Sequence, residues 1–440
     1  MAARHHIPGK MLRCGIGLLA CAILAGSAGT ALAVQRFPKP NFDSGYVLPQ
    51  ATTPAPRADY MQMVDVGVLF LALFLASYLA LAKRSRRGMF LLGLFSILYF
   101  GFVRKGCVCS VGSIQNVVLA LADGSYVVPL AVVVFFALPL LFTLLFGRTF
   151  CAAVCPLGAV QDVFVVRPVH VPAPIAALLG TIPYVYLGLG VLLAATGIDF
   201  IICRLDPFVS IFRMGGSFPI LMLGVFFLVL GIFVARPYCR FMCPYGVLLG
   251  WMSRFSKFHV TITPDECIHC RLCEDACPFG AIKAPTPGTD PEPRKTGTRR
   301  LGLILVLLPL SVALGAWAGS RLDVPLSALN IKVRIAERVA MEDAGMVSGT
   351  TLESDSFRST DQQNKEIFNE SAALRRKLGM GGWLFGGFVG LVICSRLLGL
   401  SLHRTRKDYE PDRVTCLSCA RCFMNCPKEH ERLRRLGKTP

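Results

Sequence analysis

Two stretches of this 440-residue chain share the pattern C-x-x-C-x-x-C-x-x-x-C-P. One holds Cys267, Cys270, Cys273 and Cys277 ahead of Pro278, the other Cys416, Cys419, Cys422 and Cys426 ahead of Pro427. Three thiolates spaced three residues apart can wrap one iron–sulfur cluster from a short loop, and the fourth runs into a proline that ends the wrap. The chemistry predicted is one-electron transfer through two 4Fe-4S clusters. In two-cluster ferredoxins the fourth cysteine of each run serves the other cluster. The expected ligand sets are therefore crossed: Cys267, Cys270, Cys273 with Cys426, and Cys416, Cys419, Cys422 with Cys277. Zinc needs only C-x-x-C pairs and leaves the C-x-x-x-C-P element without a purpose.

A second group of cysteines has another spacing. Gly147-Arg148-Thr149-Phe150-Cys151-x-x-x-Cys155-Pro156-Leu157-Gly158 matches Ala235-Arg236-Pro237-Tyr238-Cys239-x-x-x-Cys243-Pro244-Tyr245-Gly246. Related units precede them: Cys109-Ser-Val-Gly112-Ser-Ile-Gln115 echoes Cys155-Pro-Leu-Gly158-Ala-Val-Gln161, and Cys203-Arg204-Leu205-Asp206-Pro207 stands one apolar run before the second copy. An internal repeat of a span followed by a cysteine-bearing turn is expected. Thiols one helical turn apart share a face, so Cys151, Cys155, Cys239 and Cys243 are candidate metal ligands, enough for a further cluster. Cys107, Cys109 and Cys203 form a smaller candidate set, with Asp206 the nearest fourth ligand. A Cys107–Cys203 disulfide competes with metal there if that face is oxidising. Buried cysteine can also be a small hydrophobe, the reading adopted for Cys394.

The elements that must position these residues are membrane helices. Hydrophobic residues make up 54% of the chain and charged ones 17%, and the mean hydropathy is +0.56. A chain this apolar is expected to be a multispan transmembrane bundle, mainly α. Apolar runs at about 62–82, 88–103, 126–146, 173–195, 218–235, 301–319 and 381–400 predict seven spans. Arg4, Lys10 and Arg13 precede an apolar run and Ala31-Leu32-Ala33, the pattern of a signal peptide over 1–33. An extended periplasmic segment follows over 34–61. The net charge of +19 comes from basic residues beside apolar runs, which suits orientation in a bilayer and argues against nucleic acid. With residue 60 outside, the basic clusters at 83–87, 236–257, 294–300 and 404–407 fall inside.

The expected organisation is a transmembrane core over 62–258 and a first ferredoxin motif over 259–300. A span over 301–319, a periplasmic segment over 320–378, a span over 379–402 and a second ferredoxin motif over 403–440 complete it. Both motifs then face the cytoplasm and form one split two-cluster ferredoxin-like domain, with the C-terminus cytoplasmic in a bacterial inner membrane. Cys107, Cys109 and Cys203 fall at the outer face. In the 320–378 segment, Val347-Ser348-Gly349-Thr350-Thr351-Leu352-Glu353-Ser354 loosely matches the S-G-A-T site of covalent FMN. The shortness of the segment and its helical periodicity over 331–345 and 360–377 argue against FMN on Thr351.

These residues resemble the NosR/NapH-type membrane-bound polyferredoxins, which combine a pair of C-x-x-x-C-P motifs in the membrane core with cytoplasmic ferredoxin motifs. The resemblance covers roughly residues 88–285 and the motif at 416–427. It implies that the eight ferredoxin cysteines are cluster ligands, that Cys151, Cys155, Cys239 and Cys243 are the membrane pairs, and that electrons pass between quinol or a cytoplasmic donor and a periplasmic reductase system. This chain differs in lacking the large flavin domain of the NosR type ahead of the spans, and in its split ferredoxin motifs.

All seven histidines, His5, His6, His170, His259, His269, His403 and His430, lie outside the apolar runs, which disfavours a membrane haem held by paired histidines. No Walker A, Rossmann or G-x-S-x-G pattern is present. The expected role is an electron carrier or oxidoreductase subunit rather than a stand-alone enzyme, its partners being membrane lipid, a cytoplasmic donor or quinol, and a periplasmic redox protein. A maturation or redox-sensing factor for a periplasmic metalloenzyme is the alternative. The roughly 30 Å hydrocarbon core leaves a gap between the inner and outer cysteines that a quinone, a further cofactor or a close approach of the two sets must bridge.

Overall fold

A computed structural model of the chain describes residues 59–106, 109–262, 267–286, 294–359, 364–401 and 405–435. The signal-peptide reading, most of the extended segment, and Cys107 lie outside the described residues. Among the described residues the fold is helical apart from one two-stranded ladder. Helix α1 (Asp59–Ser77) widens into a π-helical turn at Tyr78–Ala82, and α2 (Arg86–Ser96) widens similarly over Ile97–Val103. Then come α3 (Ser110–Ala122), α4 (Leu130–Phe146), α5 (Pro156–Phe164), α6 (Ile182–Ala195), α7 (Phe218–Phe233) and α8 (Pro244–Arg254). The long helices α9 (Arg294–Ser320) and α11 (Asn364–Ser401) flank a polar region containing α10 (Ile331–Asp343).

Among the described residues, five helical stretches are long and apolar enough to cross a membrane: Tyr60–Ala82, Arg86–Val103, Ala173–Ala195, Lys295–Ser320 and Ile367–Gly399. Their outward faces are apolar, with Phe70, Leu71 and Phe74 exposed on α1 and Leu303, Leu305 and Val306 on α9. Such surface is costly in water and suits hydrocarbon, so the chain is a multi-pass membrane protein. Two expected spans, α4 and α7, are apolar but only 17 and 16 residues long, short of the roughly 20 that an upright span needs. Helix α3 escaped hydropathy reading because its first turns carry Ser110, Ser113 and Gln115, all buried. The expected boundary between a polar helix and a span near residue 379 is absent. Arg375, Arg376, Lys377 and Leu378 keep the turn going, and Gly379 alone does not break it.

Helices α9 and α11 meet through glycine. A Cβ at Gly315 or Gly319 would strike the backbone of Gly386 or Gly382, and one at Gly390 the backbone of Ser311. Small residues of this kind allow close van der Waals approach where no hydrophobic effect drives helices together. The hairpin returns the chain to its starting side. There β1 (Ile282–Lys283) pairs antiparallel with β2 (Glu410–Pro411), Ile282 opposite Pro411 and Lys283 opposite Glu410. The Asp412 amide adds a 2.7 Å bond to the Ala281 carbonyl, so the two motifs form one module.

That module is held to the core by buried charge. Asp162 on α5 pairs with Arg86 of α2, with Arg236 at 3.4 Å and with Arg421 of the second motif at 3.0 Å. Burial alone would raise its carboxyl pKa, but the guanidinium groups of Arg236, Arg86 and Arg421 hold it well below the usual carboxylate range. Arg84 reaches Glu429 at 2.6 Å on the same side. Asp162→Asn removes one partner of a buried ion cluster and is expected to cost about 3–5 kcal/mol, read as a lowered thermal unfolding midpoint in detergent. Arg421→Gln, at a partly exposed side chain, should cost less. A full-strength Asp162→Asn protein would take the docking role away from this carboxylate.

Candidate iron–sulfur centres

Both ferredoxin loops are shaped by the same backbone device. His269 and Ser418 precede the second cysteine of each motif, Arg271 and Ala420 follow it, and all four have positive φ, between 54° and 65°. These left-handed residues on either side of the second cysteine curl each loop around a point. Each loop then enters a single helical turn, Leu272–Asp275 or Arg421–Met424, and these two turns pack together.

The side chains gather in the crossed arrangement. One cavity is lined by Cys267, Cys270, Cys273 and Cys426, with Ile262 and Tyr409 beside them. The distant Cys426 therefore stands with the first three cysteines of the other motif. Reciprocally, Cys416 has Cys419 and Cys277 as electrostatic neighbours, and Cys422 has Cys416, Cys419 and Cys277, with Cys273 of the adjoining set after them. No cysteine among the described residues is in a disulfide. Burial pushes the Cys273 thiol up to about 11 and Cys416 to about 12, so a cation must accompany them before they ionise near neutral pH.

The four membrane-core cysteines also converge. Cys155 interacts electrostatically with Cys239, Cys151 and Cys243, from a π-helical turn at Phe150–Val154, the start of α5, a short helix at Pro237–Phe241 and the start of α8. Cys109, Cys155 and Cys243 each occupy the N-cap position of a helix without a capping hydrogen bond from the side chain, and the amide of the glycine three residues on is an electrostatic neighbour of each sulfur. Helix starts favour thiolate. The two glutamines hold the remaining segments: Gln115 accepts the Cys203 amide at 3.0 Å and Gln161 the Tyr238 amide at 3.1 Å. Gln161 also donates to the Cys239 sulfur at 3.2 Å.

Cys109 and Cys203 are neighbours of each other and of buried Asp206. They lie toward the end of the bundle where Arg104 pairs with Asp65 and Arg213 reaches the Lys105 carbonyl, away from the ferredoxin module. A second cavity has both Cys109 and Cys155 on its wall, with Phe100, Phe135 and Phe150. The two cysteine sets are thus adjacent across one small space.

The donor chemistry fits iron–sulfur clusters better than zinc. Tetrahedral zinc with bonds near 2.3 Å brings its sulfurs to roughly 3.8 Å of one another. Among the described residues the group of three ligand atoms lying within 4.8 Å of one another is Cys267, His269 and Asp408, and no cysteine quartet is that tight. All-sulfur quartets with this spacing suit a multi-iron core. His269 is engaged outward with Asp408 at 3.0 Å. Cys394 packs at the Ile304 carbonyl, and the Thr351 hydroxyl caps the helix Leu352–Arg358. Cysteine spacing alone assigns no role to Arg148, Arg236, Asp162, Gln115 or Gln161. Their signal was present, since both arginines and both glutamines recur at matching positions of the cysteine-bearing segments.

Comparison with known proteins finds 4Fe-4S domains over parts of the same stretches. A family model described as a 4Fe-4S binding domain matches twice, at residues 128–173 and 216–263, each stretch holding one C-x-x-x-C-P pair. A second model with the same description matches residues 260–283. An uncharacterized protein of Methanocaldococcus jannaschii is 30% identical over 191 residues, which cover 41% of this chain and 77% of the archaeal protein. Protein NirI of Paracoccus denitrificans is 31% identical over 159 residues, 33% of this chain and 23% of NirI. Regulatory protein NosR of Pseudomonas aeruginosa is 29% identical over 279 residues, 56% of this chain and 38% of NosR. The chain thus spans about a quarter of NirI and well under half of NosR. No solved structure matches it significantly. With its cysteine quartets, apolar helices and these relatives, the chain belongs to the NosR/NapH-type family of membrane-bound 4Fe-4S proteins.

Proposed function

We propose that this protein carries electrons between a donor at its ferredoxin module and a redox partner at the opposite membrane face. The observation that carries this reading is the succession of cysteine sets through the molecule. Cys267, Cys270, Cys273 and Cys426 form the more exposed of the two ferredoxin sets. Cys416, Cys419, Cys422 and Cys277 lie against the core, followed by Cys151, Cys155, Cys239 and Cys243, and then by Cys109 and Cys203 with Asp206. Iron–sulfur clusters, when bound, supply one-electron reduction and oxidation with little structural change. The protein's own contribution is to fix the thiolates at loop and helix starts, to keep water away from the inner set, and to bring successive sets close.

The cavity bordered by Cys109 and Cys155 supports direct passage across the step the sequence left open. Tyr238, an electrostatic neighbour of both Cys109 and Cys243, is fully buried and in edge contact with Phe208 and Phe227 at 5.5 and 5.6 Å. A cytoplasmic position for the ferredoxin module is favoured by the basic residues around it, including Arg84, Arg421 and Arg432. A quinol or a cytoplasmic reductant serves equally as donor, and the outward partner is a periplasmic redox protein. A regulatory or maturation role is the second reading, favoured by the name of NosR.

The deciding experiment is iron and acid-labile sulfide content with EPR of the anaerobically purified protein. More than about eight irons per chain is expected, because two 4Fe-4S clusters account for eight and the core quartet adds to them. Eight or fewer would confine the clusters to the ferredoxin module. Crossed ligation has its own test. Cys277→Ser should perturb the EPR signal of the set built on Cys416, Cys419 and Cys422, and Cys426→Ser that of the other set; damage confined to each variant's own motif means independent loops. Finally, a reporter fused after Pro440 should behave as cytoplasmic, and periplasmic activity would reverse the proposed direction.

A further inference from the structure

Arg148 and Arg236 occupy equivalent places three residues ahead of Cys151 and Cys239, and each reaches from the core toward the ferredoxin module. Arg148 is largely buried. Its Nη1 donates to the Val414 carbonyl at 2.9 Å, two residues before Cys416, and its Nη2 lies 3.8 Å from the Cys151 sulfur. Arg236 is fully buried and donates to the Cys151 carbonyl and, at 2.8 Å, to that of Ala152. Its electrostatic neighbours include both Cys239 of the inner quartet and Cys419 of the second ferredoxin motif. Its guanidinium also stands 5.9 Å from the ring of Phe279, two residues past Cys277. Arg236 is held at φ +49°, in the left-handed region, where a non-glycine residue persists only if its surroundings over-determine it.

The charge balance across this junction is positive. Asp162 serves Arg86, Arg236 and Arg421 together, three cations to one anion, and among the described residues no carboxylate is paired with Arg148. Exposed cations such as Arg271, beside the first cluster set, are screened by water. Buried ones are not, and they favour whichever state of a neighbouring group is more negative. A cluster becomes more negative when it gains an electron.

We propose that Arg148 and Arg236 form a buried guanidinium bridge that raises the reduction potentials of the Cys416/Cys419/Cys422/Cys277 site and the inner Cys151/Cys155/Cys239/Cys243 site above that of the exposed Cys267/Cys270/Cys273/Cys426 site. An electron entering at the exposed site then runs toward the membrane core. Each step oxidises the donor site by one electron and reduces the next by one, with no bond made or broken and no proton moved. The inference rests on the cluster reading of the preceding subsection.

The test is an EPR-monitored dithionite titration of the full-length protein in detergent, with iron and sulfide measured on every sample. Arg148→Gln retains a hydrogen-bonding side chain but loses the charge. It should shift the oxidised-to-reduced ratio of the inner and second-motif sites about tenfold toward oxidised at fixed solution potential, roughly 59 mV for a one-electron couple. The exposed site should not move, and Arg148→Lys should stay near the parent. Arg421→Gln, at a partly exposed position, provides a second variant and should lower the second-motif site alone. Unchanged midpoints at full iron content would overturn the bridge while leaving the clusters in place. So would an equal shift at all three sites, or a lysine variant that behaves like glutamine. A parent protein without iron in its core would sink the cluster reading itself, and the bridge with it.

Discussion

A single carboxylate shared by three guanidinium groups joins the parts of this molecule. Arg86 comes from the second membrane helix, Arg236 from the segment before a core cysteine, and Arg421 from inside the second ferredoxin loop, and all three converge on Asp162. Breaking up such an ion cluster in a dry environment is expensive, so the cluster fixes where the ferredoxin module sits on the bundle. The order of the cysteine sets follows from that placement. Were the module seated elsewhere, Cys419 and Cys239 would not share Arg236 as a neighbour.

The bilayer imposes the second constraint. Helices α4 and α7 are too short to span upright, and they lead into the turns bearing the inner cysteines. Non-helical backbone within a membrane protein is tolerated where protein buries it. Here the first cysteine turn packs against α1, α2, α4 and α5 and the second against α5 and α7, and the Tyr238 amide of the second is directed at the Gln161 oxygen. The short helices thus make room for a polar site inside an apolar bundle.

Much of this was legible in the sequence. The two ferredoxin motifs gave the crossed sets, because cysteine spacing and a following proline are local signals. The pairing of Cys151 and Cys155 with Cys239 and Cys243 was readable from the repeat. Arg148 and Arg236 were visible as repeated letters, yet their reach toward Val414 and Cys419 depends on how a distant loop docks. Helix α3 was missed because buried serines and a glutamine lower its hydropathy, and only its partners in space explain why they are inside. The unbroken α11 was missed because a local reading expects polar and apolar stretches to be separate elements.

The glycine-lined contact between α9 and α11 governs the order of assembly. Ile282 and Pro411 are paired in the ladder, yet a membrane hairpin and a polar region lie between them in the chain. Ordering so long a loop before its ends can meet is slow and exposes unpaired edges. Seating α9 against α11 brings the ends together by insertion rather than by diffusion. During synthesis, Cys267, Cys270, Cys273 and Cys277 emerge long before Cys426, and neither ligand set is complete until the second helix of the hairpin has entered the bilayer. On the proposed crossed ligation, cluster loading follows membrane insertion, and a half-inserted chain presents two incomplete thiol sets.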